Sequence, residues 1–117
     1  MIRVDGYGIC MTAGDTTAVT FEATNFDILP DDVGVFTVKT RNGQMMMERY
    51  IQPDGNGFTV VFLNPDTEGW RADEYRYDLR IVRGPVMDES GRIVDGRSVM
   101  TPMSPSSLMI ERAVGIV

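Results

Sequence analysis

Histidine is absent from this 117-residue sequence, and cysteine occurs only once, at Cys10. Without histidine, the chain lacks the side chain that most often acts as a general base and that often binds zinc. A single cysteine cannot form an internal disulfide bond, and no histidine could activate it as a nucleophile. We therefore interpret Cys10 as a small buried apolar residue. A reducing cytosol fits this composition, as does a secreted or virion protein without disulfides.

Basic residues are outnumbered by acidic ones, 11 to 17, which gives a formal net charge of −6. Such a chain repels phosphate backbones, so nucleic acid is not an expected partner. Long apolar runs are absent as well, and the first segment, MIRVDGYGICM, is interrupted by glycine and aspartate. We therefore expect no membrane partner, no membrane-spanning segment and no signal peptide.

Motifs of catalysis and cofactor binding are also missing. The sequence contains no GxSxG elbow, no SxxK pair and no glycine-rich phosphate loop. We therefore predict no catalytic residue, no bound cofactor and no metal, and a protein that is not an enzyme.

Helical periodicity is absent too, whereas alternating apolar residues recur between clusters of Gly, Pro, Asn and Asp. This pattern predicts an all-β protein, and the length fits one domain over residues 1–117. The predicted strands are 8–12, 16–23, 33–41, 44–52, 57–63 and 74–83, a weaker pair at 86–87 and 93–94, then 99–101 and 107–114. The segment NPDTEGWRAD is too long for a tight hairpin and predicts a crossing between two sheets, with a helical turn near 66–70. Together these features favour an antiparallel β-sandwich of about seven to nine strands.

Asn42-Gly43 predicts a two-residue type I′ turn between two strands. Its register pairs Val38 with Met47 and Thr40 with Met45 on the core side. Thr37 then pairs with Glu48, and Val35 with Tyr50, on the other side.

The methionine triple 45–47 follows this turn. The alternation places Met45 and Met47 inside and Met46 outside, beside Lys39. Val35, Met46 and Tyr50 are then a candidate interface patch for a neighbouring subunit, with packing by the second sheet as the alternative.

Four acidic residues surround the crossing: Asp66, Glu68, Asp73 and Glu74. Converging carboxylates could bind Ca²⁺. The simpler interpretation is that these side chains are solvated at a corner of the fold.

Aromatic residues lie at the same corner. Trp70 could stack on a sugar ring, together with exposed Tyr50 or Tyr75, or it could plug one end of the core. Tyr75 and Tyr77 open a strand after a crossing, where immunoglobulin-like sandwiches place a tyrosine corner. One of the two would bury its ring and bond its hydroxyl to loop backbone.

Five segments carry a resemblance to a known family: AGDTTAVTF at 13–21, VGVFTVKT at 33–40, NPDTEGW at 64–70, EYRYDLRIV at 74–82 and DGRSVMTPMSPSSLMI at 95–110. Their order resembles that of small phage or prophage structural proteins, and is similar to the N-terminal domain of siphophage baseplate upper proteins. The sequence departs from that pattern at Glu74, where a glycine is expected, and by the insertion PVMDESGRIV at 85–94. We expect the insertion to be an extra hairpin used for contacts.

The resemblance implies an immunoglobulin-like sandwich whose matched positions carry the fold and not an active site. It implies a virion structural or assembly module in a tail, baseplate or fibre attachment. The implied partners are other phage structural proteins or copies of the chain itself, first in the bacterial cytoplasm and then in the virion. The alternative is a carbohydrate-binding or cell-surface adhesion module.

Overall fold

The computed structural model describes residues 3–5, 8–22, 27–100 and 106–111, of which 3–5 and 98–100 are described by their backbone alone. The elements in chain order are β1 (Arg3–Asp5), β2 (Gly8–Thr12), β3 (Thr17–Glu22), β4 (Val33–Thr40), β5 (Met45–Ile51), β6 (Gly57–Phe62), α1 (Asn64–Thr67), β7 (Asp73–Met87), β8 (Ile93–Met100) and β9 (Ser106–Glu111). Within these residues, no helix has the length and apolar character needed to cross a membrane.

The strands form two sheets. The larger sheet has the order β1-β2-β9-β7-β4-β5, with β8 also paired to β7, and the smaller sheet consists of β3 and β6. The predicted all-β sandwich of two sheets is therefore confirmed, with nine strands in the described part of the chain. One pairing differs from the antiparallel prediction, because β2 lies parallel to β9. Parallel neighbours need a long connection, and here almost the whole chain separates the two strands.

The hydrophobic core lies between the two sheets. Its fully buried side chains come from alternate positions of the paired strands and include Phe36, Phe58, Phe62, Tyr77 and Leu79. Phe36 and Phe62 meet edge to face across the sheets, with ring centroids 5.9 Å apart. The period-2 pattern of the sequence therefore selects one face of each strand for burial.

The hairpin between β4 and β5 has the predicted register along most of its length, but its turn is different. Val38 pairs with Met47 as expected, whereas Lys39, and not Thr40, pairs with Met45 across a register shift. The amide of Gly43 donates to the carbonyl of Thr40, and Gly43 has φ +88°. The loop is therefore one residue longer than a type I′ turn, and a bulge restores the register.

This bulge overturns the predicted facing of the methionines. Met45 is 48% exposed, although alternation placed it inside. Met46 was expected outside, but it packs against the core together with Met47. An extra residue in one strand reverses the side to which its neighbours point.

The strands predicted at 74–83 and 86–87 are one continuous strand, β7. The breakers Gly84 and Pro85 do not end it, because Gly84 adopts φ +62° and the pairing with β8 shifts register between Arg83 and Val86. The insertion 85–94 is a hairpin, as expected. The helical turn lies at 64–67, earlier than the predicted 66–70. The predicted strand ends at Ala23, Thr101 and 112–114 lie outside the described residues.

We call residues 83–97 the arm. Beyond Val82, β7 keeps β8 as its neighbour but no longer pairs with β4. The arm bends over the outer face of the large sheet, the face turned away from the small sheet. There the amide of Ile93 donates a 3.0 Å hydrogen bond to the hydroxyl of Tyr50, and Arg92 lies 4.0 Å from Glu48.

Candidate functional site

Three segments that carry the family resemblance meet at the sheet-to-sheet crossing. The amide of Gly14 donates a 2.9 Å hydrogen bond to the hydroxyl of Thr67. The side chain of Asn64 donates to the carbonyl of Gly14 at 2.8 Å. Thr67 is fully buried, and Gly14 adopts φ +84°, a conformation that favours glycine. The side chains of Asn64 and Thr67 are therefore both bonded to the backbone of Gly14.

The aromatic residues of this corner are buried. The hydroxyl of Tyr75 donates a 2.9 Å hydrogen bond to the carbonyl of Arg71, which is the arrangement of a tyrosine corner. Burial, and then the nearby charge of Asp73, raise the pKa of Tyr75. Trp70 packs on Tyr75 with ring centroids 5.1 Å apart, and the two side chains are only 8% and 4% exposed. Tyr77 lies deeper, between Phe21 and Phe36. Trp70 and Tyr75 therefore do not present a flat platform to a sugar.

The acidic residues of the corner do not converge. Asp66 caps the start of α1 by accepting a 2.7 Å bond from the amide of Leu63, and it pairs with Arg49. Asp73 pairs with Arg41 at 3.2 Å. Among the described residues, no group of three or more Asp, Glu or Cys side chains could hold a metal ion. The calcium interpretation therefore finds no support in this geometry.

The prediction that Val35, Met46 and Tyr50 form an exposed interface patch is wrong. Val35 is 3% exposed, and Met46 packs toward the core because of the bulge. Tyr50 is half-buried, and its hydroxyl accepts the hydrogen bond from Ile93 of the arm. The arm therefore occupies the end of the outer face at which we expected a neighbouring subunit. Cys10 was interpreted as buried and is instead half-buried on β2.

A buried ion pair that the sequence analysis missed holds the base of the arm. Arg83 donates two hydrogen bonds of 2.9 Å to the carboxylate of Asp32, which is fully buried and also accepts a 2.8 Å bond from the amide of Leu29. The hydrogen bonds from Arg83 lower the pKa of Asp32 and outweigh the opposing effect of burial. The two residues are 51 positions apart, so no local pattern could have revealed the pair.

The outer face of β4, β5 and β7 forms a groove of about 430 Å³. Its floor includes Val35 and Met45. Its charged lining consists of Lys39, Arg41, Arg76 and Arg80 with the two carboxylates Glu48 and Asp78. Alternation along β7 places Arg76, Asp78 and Arg80 on this face, beside β4.

Two like charges lie opposite each other in this groove. Lys39 and Arg76 are cross-strand partners, an arrangement that destabilises a sheet on its own. Arg76 lies 3.4 Å from Glu74. Within the described part of the chain, the side chains of Lys39 and Arg80 make no hydrogen bond or ion pair. Four of the six charged side chains that line the groove are therefore basic, on a chain whose net charge is −6.

No family model, curated protein or solved structure matches this chain in the three comparisons with known proteins. The resemblance to phage structural proteins therefore stays a prediction.

Proposed function

We propose that this chain is a non-enzymatic structural or assembly module of a phage or prophage particle, in a tail, baseplate or fibre attachment. It would assemble in the bacterial cytoplasm and then form part of the virion. Its partners would be other phage structural proteins or further copies of itself, and not nucleic acid or a membrane.

The observation that supports this proposal most is the set of hydrogen bonds at the sheet-to-sheet crossing. The Gly-Asp-Thr segment and the Asp-Thr segment of the resemblance are joined through Gly14 and Thr67. The Tyr-x-Tyr-Asp segment is tied to the same crossing through Tyr75 and Arg71. These hydrogen bonds all involve backbone groups of the crossing, so the motif positions serve the fold. The resemblance likewise implies that these positions stabilise the fold and do not form an active site.

The surface features point in the same direction. Val86, Met87 and Val94 of the arm are between 42% and 62% exposed. The groove places Met45 among cationic side chains on the same molecule. Exposed apolar groups bordered by charge are typical of protein contact surfaces.

Particle composition tests the proposal. Tailed particles from the phage or induced prophage that encodes this chain are purified by density gradient, and their proteins are quantified by mass spectrometry. We expect the chain to co-purify with the particles at a fixed ratio to a known tail protein. Particles that are complete and infective without the chain would overturn the proposal.

The carbohydrate-binding alternative required exposed coplanar rings. Trp70 and Tyr75 are buried, and the hydroxyl of Tyr50 is bonded to the arm. These rings therefore give no support to glycan binding or adhesion.

A further inference from the structure

The arm and the outer-face groove have complementary surfaces. Near its tip, the arm exposes three apolar side chains, Val86, Met87 and Val94. Residues 86–95 also contain three acidic residues and one basic residue. The groove combines an apolar floor with an excess of cationic side chains.

In the described part of the chain, the apolar side chains of the arm tip stay exposed, and so does Met45 in the groove. The arm contacts the outer face of its own chain where the amide of Ile93 bonds to Tyr50 and where Arg92 lies near Glu48. The contact with Arg92 offsets the charge of Glu48, one of the two carboxylates of the groove. In the described residues, Lys39 and Arg80 remain without an ion-pair partner.

We propose that the arm tip of one copy, residues 86–95, docks into the outer-face groove of a second copy. The arm's acidic side chains would approach Lys39 and Arg80, and its exposed apolar side chains would cover Met45. This inference deepens the proposed function and rests on it, because it names the contact by which copies of the module would assemble.

Charge decides between this contact and its main rival, the packing of two arms against each other. Two arm tips, each with three acidic residues and one basic residue, repel each other, whereas an arm tip and a groove attract. The contact is also heterologous, because it joins two different surfaces. Repetition of such a contact produces a ring or an open filament.

The size of the contact predicts its strength. A single hairpin tip covers less than the roughly 800 Å² per partner of a standard stable interface. Isolated chains should therefore associate weakly, and the association should decrease with added salt because the charges are exposed.

Charge reversal with complementation tests the contact. The groove variant is Lys39→Glu with Arg80→Glu, and the arm variant is Glu89→Lys with Asp95→Lys. Sedimentation velocity is run at low salt up to about 1 mM protein, where weak contacts become populated. We expect the wild type to associate and each variant alone to associate at least tenfold more weakly. An equimolar mixture of the two variants should recover association, because each arm again meets a groove of opposite charge.

Matched controls separate the contact from a general effect of net charge. Arg71→Glu and Glu22→Lys each reverse one exposed charge outside the groove and the arm, and both should associate like the wild type. The single variants Arg80→Glu and Glu89→Lys change the net charge by the same amounts and should weaken association. Thermal melts establish that all variants fold. A wild type that stays monomeric, variants that still associate, or a mixture that fails to recover would each overturn the inference.

The result of this complementation experiment can be distinguished from the result of the particle-composition experiment. Self-association with complementation supports the arm–groove contact even if the chain is missing from particles, in which case only the virion role fails. A chain found in particles but lacking complementation keeps the virion role and removes this contact.

Discussion

Arg83 donates two hydrogen bonds of 2.9 Å to the fully buried carboxylate of Asp32, and this ion pair connects the base of the arm to the loop before β4. A third bond to Asp32 comes from the amide of Leu29. Asp32 therefore joins the base of the arm, through Arg83, to the loop before β4, through Leu29. Over the outer face, the arm is also held by the contacts of Ile93 with Tyr50 and of Arg92 with Glu48.

Loss of one partner of this pair should be costly. Arg83→Met leaves the Asp32 carboxylate buried without its cation. We expect roughly 2–4 kcal/mol of destabilisation, less than for a fully enclosed pair because Arg83 is partly exposed. Urea denaturation of Arg83→Met, Asp32→Asn and the double variant gives the coupling. Purely additive effects would contradict a direct interaction.

The same pair predicts a dependence on acid. The pKa of Asp32 is lowered in the folded chain, chiefly by the hydrogen bonds from Arg83. The unfolded chain therefore binds the proton more readily, so this contribution to stability is present above the ordinary aspartate pKa and is lost as pH falls through the lower folded value. Unfolding free energies measured from pH 6 downward should decline less steeply for Asp32→Asn than for the wild type. Parallel curves would contradict the assignment.

The tyrosine corner can be tested by removing one oxygen atom. Tyr75→Phe keeps the ring packed on Trp70 but deletes the hydroxyl that donates to Arg71. We expect a loss of about 0.5–1.5 kcal/mol of unfolding free energy, the net value of one hydrogen bond. Chemical denaturation followed by tryptophan fluorescence measures it. An unchanged midpoint would show that the bond contributes nothing, and Tyr75→Leu serves as the control for loss of the ring.

Thr67 provides a test of the corner that unites the resemblance segments. Thr67→Val keeps the shape of the side chain and removes the oxygen that accepts from the amide of Gly14. That amide then has no side-chain partner, so we expect about 1–3 kcal/mol of destabilisation. Thr67→Ser retains the hydroxyl and should cost less. If the serine variant is the less stable one, the lost methyl group matters more than the hydrogen bond.

Gly34 allows a close approach between the sheets. A Cβ atom added there would lie 2.8 Å from Cδ1 of Phe58. Gly34→Ala should therefore cost about 1–3 kcal/mol through overpacking. Gly69→Ala is the matched control, because nothing lies within 4 Å of its added Cβ. Thermal denaturation compares the two, and equal melting temperatures would contradict the close approach.

Much of the fold was predictable because its signals are local. The strand 8–12 was predicted with the boundaries that the structure shows, and β4 and β6 were predicted to within one residue. The pairing of Val38 with Met47 also agrees with the prediction, although a longer loop and a bulge produce it and not the predicted type I′ turn. Alternation and turn residues act over a few positions, where backbone sterics dominate.

The candidate site was less predictable, because it depends on contacts between distant residues. The facing of Met45 and Met46 depends on a bulge that alternation cannot anticipate. The hydroxyl of Tyr50 is bonded to Ile93 of the arm, which lies 43 positions further along the chain. The cationic groove exists only because β7 lies beside β4, which places Arg76 opposite Lys39.

By itself, the sequence determined that this protein is built from β-strands, which face of most strands is apolar, and that no histidine is available for chemistry. Only the tertiary structure decided that β2 and β9 run parallel, that Asp32 is buried against Arg83, and that the arm bends onto the outer face. The physical reason is range. Strand and turn preferences depend on neighbouring residues. Sheet order and the burial of an ion pair depend on contacts between distant residues, so they are decided by the free energy of the whole folded chain.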